Sequence, residues 1–89
     1  MELRLDSRLL DDKEALHKEI ADQLKLPLYY GNNLDALWDI LTAWGNPLDI
    51  IIENCGDSLG RLGSYGEMVL ELFQEAEEEN NALSVDIRL

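Results

Sequence analysis

Three observations predict an α/β fold with a three-stranded parallel sheet and helices packed mainly on one of its faces. Short segments near the two ends of the 89-residue chain alternate apolar and polar residues, a β-branched run lies between them, and segments of helical periodicity separate all three. Strands separated by helices pair in parallel through right-handed crossovers. The outer strands alternate cleanly and only the middle one is apolar throughout, so one sheet face is expected to be left to solvent. The length suits one domain, residues 1–89, with a single modest core.

MELRL sets Met1, Leu3 and Leu5 against Glu2 and Arg4, the period of a strand with one buried face. DDKEALHKEIADQLKL follows, with Asp11 and Glu14 spaced as a capping box and Leu16, Ile20 and Leu24 at helical spacing. This helix is expected to stop before Pro27, whose ring biases Leu26 away from helix. Gly31, Asn32 and Asn33 punctuate and cap a second helix from about Leu34 to Ala43, ended by Gly45. PLDIIIE, residues 47–53, has the length and β-branching of a buried strand. Glycines 56, 60, 63 and 66 then predict a loop, with one helical turn around Ser58 to Leu62. From Glu67 to about Glu79, Met68, Val69, Leu72, Phe73 and Ala76 recur at helical spacing with glutamates opposite. SVDIRL closes the chain as a strand, Val85, Ile87 and Leu89 against Asp86 and Arg88.

Nineteen acidic and seven basic side chains give a formal charge of −12. Such a field repels nucleic-acid phosphates and anionic lipid and speeds encounter with a basic partner, so direct binding to nucleic acid or membrane is not expected. No apolar run approaches the roughly 18 residues of a bilayer span, and the N-terminus lacks the basic start and apolar core of a secretory signal. One cysteine, Cys55, forms no internal disulfide and suits a reducing compartment; the cytoplasm is the expected location.

Candidates for catalysis are few. His17 lies beside Leu16 and between charged neighbours, which reads as a surface or boundary histidine. Cys55 follows a strand but has no partner evident in the sequence. The glycines of GDSLGRLGSYG match no phosphate-binding fingerprint. Asp35 and Asp39, one helical turn apart, are a thin ligand set for a hard cation that seeks six or more oxygens, and one short helix leaves no sugar-sized cleft between two carboxylates. The expectation is no enzyme, no metal and no cofactor.

The stretch YYGNNLDALWDILTAW, residues 29–44, concentrates aromatic residues in an aromatic-poor chain. At roughly 100° per residue, Leu34, Leu37, Ile40 and Leu41 share a sector of about 120°, the core face. Asp35, Asp39 and Thr42 point away from it, and Trp38 lies on the border. Amphipathic aromatics clustered around acidic groups are the composition of a binding surface. Trp44 projects toward the core if the helix continues through it, and elsewhere if Gly45 has already turned the chain.

LPLYYGNNLDALWDILTAW resembles the signature of the barstar family of intracellular ribonuclease inhibitors, and the resemblance runs on through VLELFQEA to the end of the chain. It implies a barstar-like fold, an extra short helix in the glycine-rich loop, and a partner that is a basic, barnase-like microbial ribonuclease. It further implies that Tyr29, Asn33, Asp35, Trp38, Asp39, Thr42 and Trp44, with Glu75 on the last helix, face that nuclease. In that picture Asp39 enters the substrate-phosphate pocket, and a free monomer forms a 1:1 complex. The chain departs from the family's archetype at Asn32, where that has an acid, at Ala43, where it has glycine, and in a link from Trp44 to Pro47 one residue shorter. By the same resemblance the Asn46–Pro47 bond is expected to be cis. An alternative is a barstar-fold module that binds a different basic partner.

Overall fold

A computed structural model describes residues 1–27, 30–55 and 60–88. Strand β1 (Glu2–Asp6) leads through a 3-10 turn at Ser7–Leu9 into helix α1 (Lys13–Leu24) and helix α2 (Leu34–Thr42). Strand β2 (Leu48–Glu53), a 3-10 turn at Gly60–Leu62, helix α3 (Ser64–Glu79) and strand β3 (Leu83–Ile87) complete the chain. The strands form one parallel sheet in the order β1-β2-β3. Right-handed crossovers that step the same way across a sheet leave their helices on the same face.

Burial agrees with that placement. Register aligns Leu3 with Ile50, Leu5 with Ile52 and Leu48 with Leu83, and all six are buried in the core. Against them pack Leu16, Ile20 and Leu24 of α1, Leu37 and Leu41 of α2, and Val69, Leu72, Phe73 and Ala76 of α3. The other sheet face carries Glu2, Arg4, Asp49, Ser84 and Asp86, all exposed. Ile51 is buried there, outside the core cluster. The glycine-poor strands and the leucine spacing of the helices therefore meet in one layer of core.

Several boundaries differ from expectation. Met1 is 56% exposed and lies outside the strand, its amine donating to the Pro47 carbonyl at 3.2 Å. Asp12, not Asp11, caps α1, accepting the Ala15 N–H at 2.8 Å. Of two adjacent aspartates only the one in extended backbone before the first helical residue can reach that donor. Lys25, at φ 55, ends α1 in a left-handed turn two residues before Pro27. Helix α3 begins at Ser64, earlier than Glu67, so Gly66 falls inside it and is buried. Gly66 completes the buried stripe, whereas Met68 sits roughly 100° from Val69 and is 47% exposed, a correction to its place in the core set. No described peptide bond is cis, so Asn46–Pro47 is trans. Leu89 and residues 56–59 lie outside the described residues.

Candidate functional site

The segment before α2 is shaped by close approach. A Cβ at Gly31 would meet Asn33 Nδ2 at 3.0 Å and the Ala36 side chain at 3.4 Å, so any larger residue would press on the side chain that caps the helix. Asn32 follows at φ 53. Asn33 then caps α2: its Oδ1 accepts the Ala36 N–H at 2.8 Å and its Nδ2 donates to the Gly31 carbonyl at 3.1 Å.

Helix α2 divides by face much as its periodicity predicts. Leu37 and Leu41 are buried, and Leu34, Ile40 and Trp38 pack half-buried on the core. Asp35 and Asp39 are exposed, and among the described residues neither carboxylate joins an ion pair or accepts a hydrogen bond from a side chain. Thr42 is half-buried and turns its hydroxyl back, donating to the Trp38 carbonyl at 2.8 Å. Trp44, beyond the helix, packs half-buried against the core, with its indole Nε1 buried and without a partner among the described residues. Burying an indole N–H unbonded costs free energy, so this ring is held by packing.

An open cleft of about 570 Å³ runs between α2 and the segment that precedes it. Leu26, Pro27, Tyr30 and Gly31 line it from that segment, Ala36, Ile40 and Ala43 from the helix and its end, and Trp44, Gly45 and Asn46 from the chain beyond. Asp39 is the one charged side chain among the described residues that line it. Tyr30, Ala36 and Ala43 were not expected at the site. Tyr30 had a visible signal, its place in the tyrosine pair; the alanines had none, because small residues matter here only for the space they leave.

Of the residues expected to face a partner, Asp39 and Trp44 meet at the cleft, Asp35, Trp38 and Thr42 lie along the adjoining stripe, and Asn33 caps the helix. Glu75 is exposed on α3, which packs beside α2. Tyr29 lies outside the described residues.

His17 corrects its surface reading: it is 1% exposed. Its Nδ1 lies 2.8 Å from the Tyr30 hydroxyl and its Nε2 2.6 Å from that of Tyr65. Burial, and secondarily the charge of Lys13, push its pKa below the ordinary 6.5. Cys55 is buried, and burial pushes its thiol up, the reverse of what an activated nucleophile has. Among the described residues no group of three or more metal-ligating side chains comes together, and no helix is long and apolar enough to cross a membrane.

With this geometry in place, the whole chain, residues 1–89, matches the family described as Barstar (barnase inhibitor). The chain belongs to the barstar family. It is also 49% identical, over 76 residues, to a Bacillus subtilis (strain 168) protein described as "Putative ribonuclease inhibitor YrdF", covering 84% of each chain. The barstar-family fold thus presents α2, with its two exposed carboxylates, beside a cleft whose described lining is otherwise uncharged.

Proposed function

We propose that this chain is a cytoplasmic, non-catalytic inhibitor of a secreted, basic ribonuclease of the barnase kind, covering its active site with α2 and the segment before it. The observation that carries this reading is that α2, in a barstar-family chain, exposes Asp35 and Asp39 free of internal ion pairs among the described residues. A ribonuclease must gather arginine, lysine and histidine around a phosphate. A carboxylate can take that phosphate's place through short, charge-assisted bonds to arginine. In this role Asp39 enters the phosphate site, Asp35 and Thr42 supply further polar contacts, and Trp38, Trp44 and Tyr29 exclude water around them. Asn33 holds the start of the helix, and Glu75 extends the acidic surface. No cofactor takes part, and the complex is 1:1 with a monomeric inhibitor.

Inhibition of a barnase-like ribonuclease by wild type and by Asp39→Ala tests the mechanism. The wild type is expected to inhibit at one equivalent. The variant is expected to bind at least about 30-fold more weakly, since losing one member of a desolvated charge pair costs about 2–5 kcal/mol, a general range for which barnase and barstar are a type case. Equal potency would reject Asp39 as the phosphate mimic. The departures at Asn32 and Ala43 favour a second reading, the same face turned to a different basic protein; capture of a non-nuclease partner that Asp39→Ala fails to hold would establish it.

A further inference from the structure

Helix α2 lacks the usual glycine stop. Its last carbonyls need donors, as those of every helix do, but Ala43 at its end has φ −95 and ψ 0 and forms no left-handed cap. The Ala43 N–H reaches the Asp39 carbonyl and the Trp44 N–H the Leu41 carbonyl, each at 3.2 Å. The remaining donors come from the far end of another helix. Asn80, just past α3, donates through Nδ2 to the Leu41 carbonyl at 2.9 Å and the Trp44 carbonyl at 2.8 Å, with the Thr42 carbonyl at 3.4 Å. Its Oδ1 accepts the Ala82 N–H at 3.0 Å, its own N–H reaches the Ala76 carbonyl at 2.9 Å, and its carbonyl accepts from Leu83 at 3.1 Å. The amide orientation follows from its neighbours, which offer carbonyls on one side and an N–H on the other.

We infer that Asn80 is a positioning residue for the inhibitory face, locking the end of α2 and the backbone of Trp44, and through them the wall of the cleft beside Asp39. The inference rests on the proposed role of α2 in binding a nuclease. Ala43 and Trp44 line that cleft and Asp39 lies one turn back, so an end of α2 free to fray would loosen the wall on which the partner seats. One half-buried side chain thereby ties three junctions together: the end of α2, the end of α3 and the start of β3.

Asn80→Asp tests this, because it keeps the acceptor for Ala82 while turning an oxygen toward the three carbonyls. The folded variant is expected to leave the nuclease about tenfold faster or more with little change in association rate. It is also expected to shift the Trp44 indole resonance and speed amide exchange at Ala43 and Trp44. Ile51→Ala, on the far face of the sheet, lowers stability without touching α2 and is expected to leave dissociation unchanged. Wild-type dissociation in folded Asn80→Asp, or equal acceleration in Ile51→Ala, overturns the inference. If Asn80→Asp does not fold, Asn80→Ser, which retains one donor, is expected to fall between, and wild-type behaviour in it counts against the inference equally. Should the wild type inhibit no such nuclease, the functional reading alone fails; Asn80 is then judged by the resonance and the exchange rates, and unaltered values overturn its role.

Discussion

His17 is held between two hydroxyls, from Tyr30 before α2 and Tyr65 at the start of α3. A neutral imidazole donates at one nitrogen and accepts at the other, so one tyrosine accepts and the other donates; a protonated ring donates at both, and the second tyrosine must then turn its O–H away and accept. Because burial lowers its pKa in the fold, the unfolded chain takes up the proton first as pH falls. Stability from this group is therefore complete above the ordinary 6.5 and is lost as pH drops below it, at no more than about 1.4 kcal/mol per pH unit. Denaturant unfolding is expected to show a lower midpoint at pH 5.5 than at pH 7.5 for wild type, and a flat profile across that window in a less stable His17→Gln. Asp6 does not blur this window. The hydrogen bonds from Arg8 hold its carboxyl well below the usual carboxylate range, so its contribution is present above the ordinary 3.8 and is lost only in stronger acid.

The sheet has two edges, and each is met by a helix side chain. Gln23 of α1 pairs with Arg4 as a neighbouring strand would, accepting its N–H at 2.9 Å and donating to its carbonyl at 2.7 Å. On the other edge Glu77 of α3 accepts the Val85 N–H at 2.6 Å. Open strand edges recruit other chains, and side chains that occupy their hydrogen bonds discourage this. Gln23→Ala is expected to cost up to about 1 kcal/mol, since water replaces the amide, and to raise concentration-dependent self-association in sedimentation. Strand and helix types were legible because their periodicities differ, whereas the ends were not. The start of α3 was hidden because Gly66 is a poor helix former, yet it lies buried inside the helix.

Charge is unevenly spread over the molecule. All seven ion pairs among the described residues use acids outside α2 and α3. Between Lys25 and Arg88 the chain has a single basic residue, Arg61. Helix α2 contributes Asp35 and Asp39 and α3 contributes Glu67, Glu71, Glu75, Glu77, Glu78 and Glu79, with no lysine or arginine on either. The two helices pack against each other, so their like charges add to one field. Raising salt shortens the reach of that field to a Debye length of about 3 Å at 1 M. Association with a basic nuclease is expected to slow by about tenfold or more between low and high salt while dissociation changes little, as stopped-flow mixing would show.

Local periodicity, capping residues and charge balance by themselves determined the order of strands and helices, the parallel sheet with one open face, and the outward placement of Asp35 and Asp39. These follow from neighbours within a few residues, which a sequence displays directly. Only the tertiary structure decided that His17 is core, that Trp44 both packs on the core and lines the cleft, and that Asn80 caps a helix that ends 38 residues before it at Thr42. Each depends on a hydrogen bond or contact between residues far apart in the chain, and nothing in a local pattern records which distant partner will arrive.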